Sequence, residues 1–104
     1  MQLKTINLIE ENKKVLKQYV YNYRYTLEKI KENAVFINVL SDNIHARIQL
    51  RETMMKYPDH HIIVVSEDIE VAALAWKVDL FSFVVSPLKN YDLKRIFYKM
   101  SKCH

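Results

Sequence analysis

A chain of 104 residues, half of them apolar and 27% charged, can bury a core of its own but is too short for two, so residues 1–104 are read as a single domain. It has no glycine, where about seven would be usual at this length. That excludes a Walker phosphate loop, a GxGxxG dinucleotide turn and a GxSxG nucleophile elbow, each of which needs backbone that only glycine supplies. The net charge of +4 is uneven: residues 1–33 carry seven basic and four acidic groups, 34–77 four and six, and 78–104 five and two, and the acidic middle argues against a uniformly basic nucleic-acid binder.

Without glycine the chain also lacks the Asn-Gly and Asp-Gly pairs of tight hairpins, so a meander of short antiparallel strands is not expected. The single cysteine, Cys103, has no internal disulfide partner. With no signal peptide and no apolar run of membrane-spanning length, a reducing cytoplasm and no membrane contact are the expectation.

In chain order, Thr5–Ile9 is a short apolar strand ending in Glu10-Glu11. The stretch from Lys13 to Glu32 allows two readings. Tyr19, Tyr21, Tyr23 and Tyr25 alternate like a strand, whereas Leu16, Val20, Tyr23, Leu27 and Ile30 recur at helical spacing. The longer register predicts one helix, capped by Asn12, with Lys29 and Lys31 in its last turn, Tyr19 and Tyr23 inward and Tyr21 and Tyr25 outward. Ala34–Val39 is an unbroken apolar run, the mark of a strand covered on both faces. Asp42 or Asn43 caps a helix that ends near Tyr57, before Pro58. Its expected buried side holds Ile44, Ile48 and Met55, with Leu50 and Met54 beside them. His61–Ser66 is a second fully apolar strand. Asp68–Lys77 is expected to be a helix with Ile69, Ala72, Ala73 and Trp76 on one face. Phe81–Val85 is the next strand. Pro87 ends it, Asn90 caps, and a last helix carries Tyr91, Leu93, Ile96, Phe97 and Met100.

This order, strand and helix in alternation four times, predicts an α/β fold with a parallel sheet and helices on both faces. Such sheets bind ligands at the carboxyl ends of their strands. Here those ends are Glu10-Glu11, Asn38, Ser66 and Ser86.

At these places the chain resembles the receiver domains of bacterial response regulators, most closely those of LytTR-type regulators. The residues that carry the resemblance are Tyr57-Pro58-Asp59, Ile62–Ser66, Ala73–Asp79 and Phe83–Pro87, together with Val35–Val39 and Ile6–Glu11. It covers most of the chain except residues 12–33 and implies a flavodoxin-like fold. In the family an acidic pair binds Mg²⁺, an aspartate takes the phosphoryl group, a hydroxyl contacts it and a lysine balances its charge. Ser66 and the aromatic Phe83 match. The acceptor position is Asn38, whose amide has no anionic oxygen for attack on phosphorus. The lysine position is Ser86, and the acidic pair is Glu10 and Glu11, each longer by a methylene. The resemblance therefore implies a degenerate receiver, with no cofactor and no enzymatic activity. The loop positions where receivers commonly carry glycine hold Asn43, Val78 and Asp79 or their neighbours.

Length gives a second departure. Glu11 and Asn38 are 27 positions apart, while a strand and a helix take roughly 15–18 residues before loops, and the family places two helices and a strand there. The expectation is a four-stranded sheet, family strands 1-3-4-5 in that order, lacking the second strand and second helix. The alternative keeps Tyr19–Tyr25 as a shortened strand. Loss of the strand leaves the first strand at an open edge, which invites an edge-to-edge or helix-covered homodimer.

Each candidate has a plainer reading beside the functional one. Glu10 and Glu11 hold a metal or are solvated acids at a helix start. Asn38 is a polar ligand or a remnant bonded to its loop. Ser66 contacts an anion or caps the following helix. His60-His61 and Cys103-His104 lack the four converging ligands of structural zinc. The tyrosine row stacks bases or belongs to core and interface. The leading expectation is a phosphorylation-independent protein-interaction module of bacterial signalling or transcription regulation. Its partner face, by resemblance, spans Asp68–Lys77, Phe81–Val85 and Tyr91–Lys102, with Glu70, Lys77, Phe83, Tyr91, Lys94, Arg95 and Tyr98 as contacts. The partner is a second copy, a kinase or a transcription regulator. The alternatives are a nucleic-acid-associated protein using Lys13, Lys14, Lys17 and Arg24 on the first helix with Lys89, Lys94, Arg95, Lys99 and Lys102 on the last, and a residual Mg²⁺-dependent phosphoacceptor using another side chain.

Overall fold

Four strands, β1 (Leu3–Ile6), β2 (Asn33–Asn38), β3 (His60–Ser66) and β4 (Ser82–Val85), form one sheet in the order β1-β2-β3-β4, and every neighbouring pair is parallel. The computed structural model describes residues 1–41, 43–76 and 80–102, without the side chains of 74–76. The expectations for Asp42, Lys77, Val78, Asp79, Cys103 and His104, and for the Trp76 side chain, lie outside the described residues.

The two apolar runs occupy the centre of the sheet, where both faces must be covered. Ala34 to Ile37 and Ile63 to Val65 are fully buried, and their side chains alternate between two cores. Ala34, Phe36, Ile63, Val65 and Val84 face α1 (Glu10–Asn22), α2 (Arg24–Leu27) and α4 (Asn90–Ser101), which supply Leu16, Tyr19, Leu27, Leu93, Ile96, Phe97 and Met100. Val35, Ile37, Ile62 and Val64 face α3 (Ile44–Lys56) and a 3₁₀ segment (Ile69–Trp76), which supply Ala46, Leu50 and Val71. The expected four-stranded sheet with helices on both faces is therefore present.

Residues 10–32 contain no strand, and Tyr19, Tyr21 and Tyr25 of the alternating set are helical. The helix is not continuous. Tyr23 leaves helical geometry (φ −117°, ψ 24°), and the chain divides into α1 and α2, which ends at Leu27, ahead of Lys29 and Lys31. Tyr19 is buried as expected, but Tyr23, expected inward, is 49% exposed, its ring tilted against that of Tyr19 at 4.5 Å. The first strand runs earlier than the Thr5–Ile9 expectation, because Asn7 turns the chain with a left-handed φ of 57°. Asparagine is the residue that best tolerates this conformation where glycine is lacking.

Two helical faces also differ from expectation. In α3 the inward residues are Ala46, Leu50 and Thr53, while Ile44, Ile48 and Met55 are exposed. This helix has apolar residues on two sides, and docking on the sheet selects the side with the smaller Ala46, which lets the backbone approach. Asn43 caps it, its side-chain oxygen accepting from Ala46 N–H at 2.9 Å. After β3 the turn is 3₁₀ rather than α, and Val71 rather than Ile69 enters the core. With i and i+3 eclipsed, only one narrow stripe can point inward. Asn90 is the first residue of α4, not its cap. Lys89 holds the cap position, and the Asp92 carboxylate accepts from Lys89 N–H at 3.1 Å.

Tyr19 carries a testable consequence. Burial, and secondarily the neighbouring Tyr23 phenol, pushes its phenol above the ordinary value of 10.0. The folded state thus holds this proton more tightly than the unfolded chain, so the contribution is full below pH ~10 and is lost as pH rises through the folded pKa. Urea unfolding should show the wild type losing more stability than Tyr19→Phe between about pH 9 and pH 11. Parallel losses would show that Tyr19 does not couple to folding.

Candidate functional site at the carboxyl end of the sheet

The carboxyl ends of the strands are closed by a polar lock that starts in α1. Asn12 lies in the first turn of this helix and is completely buried. Its side-chain nitrogen donates to Ser86 Oγ at 3.0 Å, and its side-chain oxygen accepts from Leu88 N–H at 2.9 Å. Asn12 was expected to cap α1, but Ile9 occupies that position with no side-chain hydrogen bond. The cap assignment failed because helix-start statistics favour asparagine whether it faces the helix or the core. The partners that settle its role are 74 and 76 positions away in sequence.

Ser86 is fixed twice. Its hydroxyl accepts from Asn12, and its backbone N–H donates to Ser66 O at 2.8 Å. Ser66, the last residue of β3, is fully buried, and its hydroxyl accepts from Asp68 N–H at 3.1 Å. That favours the plainer role for Ser66, turning the chain into the 3₁₀ segment. Asp68 continues the turn, its carboxylate accepting from Glu70 N–H at 2.9 Å. Asn38 is the last residue of β2, half-buried, in register with Val65. The strand ends are thus brought together as the α/β topology requires.

Glu10 and Glu11 are both exposed in the first turn of α1, where carboxylates complement the helix dipole. Glu10 pairs with Lys13 at 3.5 Å on the surface. A divalent ion of the Mg²⁺ type needs several oxygens in near-octahedral array, usually with two or more carboxylates. One acid of this pair is turned to a lysine, and the third expected oxygen donor is the neutral amide of Asn38, so the donor set does not fit that ion. Among the described residues, no three His, Cys, Asp or Glu side chains converge. His60 and His61 point to opposite faces: the His60 ring is tilted against Tyr57 (5.2 Å), and that of His61 against Phe81 (4.2 Å) with Glu32 at 3.6 Å.

The expected partner face wraps the β4 edge. Tyr91, Lys94, Arg95 and Tyr98 share the outer side of α4, the two tyrosines being 64% exposed. Arg95 ties α4 to β4 by donating to Ser82 Oγ at 3.3 Å. Phe83 is half-buried against the second core, and it lines one cavity of about 370 Å³ with Ser86, Tyr91 and Arg95. Lys94 and Tyr98 instead border the cavity between α2 and α4. Glu70 is exposed on the other side of the sheet. Of the cations a nucleic-acid surface would use, Lys13 pairs with Glu10, Arg24 lies 4.7 Å from the centres of both the Tyr21 and Tyr25 rings, and Lys99 donates to Phe81 O at 2.7 Å.

No family model and no curated protein sequence matches this chain. Among solved structures it is similar to the response regulatory domain of protein mrkE from Klebsiella pneumoniae, with a TM-score of 0.68 over 97% of this chain and 95% of that one. The two are 12% identical, and the likeness is one of fold: four parallel strands and their helices in a receiver-like α/β arrangement. No helix among the described residues is long and apolar enough to cross a membrane.

Proposed function

We propose that this chain is a receiver-like module of bacterial signalling or transcription regulation, in the cytoplasm, that has left phosphoryl transfer behind and acts by binding a protein. One observation carries the reading: where a receiver would set its lysine, Ser86 is bonded to the buried amide of Asn12. A phosphoryl group there would meet no fixed cation, and the buried amide would have to give up its partner to rearrange. At the acceptor position Asn38 offers no nucleophile, since its amide oxygen carries no charge. The module binds rather than catalyses, and its contact surface is the outer side of α4 with the β4 edge, where Tyr91 and Tyr98 are large, exposed and amphipathic, the residue type enriched at protein interfaces. The partner is a kinase, a transcription regulator or a second copy of the chain.

The test uses the chain as bait in its native host, with and without prior acetyl phosphate and Mg²⁺, and reads intact mass and captured proteins together. Unchanged bait mass, the same partner in both arms, and loss of that partner with Tyr91→Ala/Tyr98→Ala are expected. A gain of one phosphoryl mass, a partner that binds only after treatment, or one that ignores the tyrosine changes would overturn it.

A further inference from the structure

We infer that the open edge of β1, together with the groove between it and α1, binds an acidic segment of another protein in extended conformation. The inference is independent of the α4 surface. β1 stands first in the sheet order, so its outer side is an edge. Gln2 O accepts from Ala34 N–H on the β2 side, and Gln2 N–H donates to Asn33 there. Backbone groups alternate along a strand, so the N–H and C=O of Leu3 and Thr5 face outward, one residue pair ready to accept a further strand.

The groove beside this edge has the composition of a peptide site. Leu3, Leu16 and Val20 give it an apolar floor, and Lys17, Arg24 and Lys13, the last paired with Glu10 at 3.5 Å, rim it. Main-chain pairing supplies affinity in such strand addition, and side-chain pockets and charge supply selectivity. Charge also decides the occupant. Two β1 edges pairing antiparallel about a two-fold axis normal to the sheet would place both α1 helices on one face. Lys13, Lys17 and Arg24 of each copy would then confront those of the other across a shared strand pair. An acidic strand meets the same rim with opposite sign, and residues 1–33 carry net +3.

The experiment measures fluorescence anisotropy of a short labelled peptide alternating valine and glutamate, against its counterpart with lysine for glutamate. The acidic peptide should bind at least about tenfold tighter, and Lys17→Glu/Arg24→Glu should remove or reverse that preference. Thr5→Pro deletes an outward N–H without touching the β2 ladder, and it should weaken binding about tenfold while far-UV circular dichroism and melting stay near wild type. Lys17→Glu alone, on an exposed side chain, gives the same direction if Thr5→Pro perturbs the fold. Equal binding of both peptides, no binding of either, or a concentration-dependent dimer that Thr5→Pro dissolves would overturn the inference.

Discussion

Asn12→Leu should destabilise the protein by about 2–4 kcal/mol, out of proportion to the size of the change, because it leaves the Leu88 N–H buried without an acceptor. Leucine keeps the branched shape of asparagine but is bulkier, so overpacking at this fully buried position adds to the loss. What is lost is the pair of bonds at 3.0 and 2.9 Å that join the start of α1 to the loop between β4 and α4. Ser86→Ala removes only one of them and should cost about 1 kcal/mol. The double variant should then cost less than the sum of the single ones, since Asn12 and Ser86 share a bond. Chemical denaturation of the four proteins gives the cycle. Strict additivity would mean that the two residues do not act together, and the lock at the carboxyl end of the sheet would lose its energetic basis.

Phe36→Ala should be the most damaging single change, about 3–5 kcal/mol, against a total of about 5–15 kcal/mol for a typical domain. Phe36 is fully buried in the middle of β2, and its ring sits 6.2 Å from that of Phe97, which in turn stacks on Tyr19 at 5.6 Å. Removing it opens a cavity in the core shared by β2, α1 and α4. The urea midpoint should fall steeply with an unchanged slope. Ile48→Ala serves as the internal control. On sequence pattern it belongs to the core, but it is 48% exposed, so its replacement should cost no more than about 0.5 kcal/mol. A large effect at Ile48 would put the wrong side of α3 against the sheet.

The contrast between Phe36 and Ile48 shows where a sequence is informative. β2 and β3 are legible because a run such as Ala34–Val39 has no polar side to offer water, so it must be covered on both faces wherever it lies. α3 is different. Ile44, Ile48 and Met55 form one apolar stripe and Ala46, Leu50 and Met54 another, and periodicity alone cannot choose between them. The 3₁₀ segment is alike: Ile69 and Val71 are both strongly apolar, and only the way the segment docks on the sheet buries Val71 and leaves Ile69 exposed.

The candidate site divides along the same line. Residue types alone say that an amide at Asn38 and a hydroxyl at Ser86 lack the charge of a carboxylate and an ammonium group wherever the fold puts them. The alternation of apolar runs and helical patterns was enough for the parallel α/β layering, and the missing length before Ala34 for a sheet of four strands. The tertiary structure alone decided that Asn12 is a core residue. A polar side chain is tolerated in the interior only when its partners meet it there, and those partners, Ser86 and Leu88, come from the far end of the chain. It also decided that the edge left open at β1 lies beside a groove rimmed by Lys13, Lys17 and Arg24, because only folding sets one strand next to one helix.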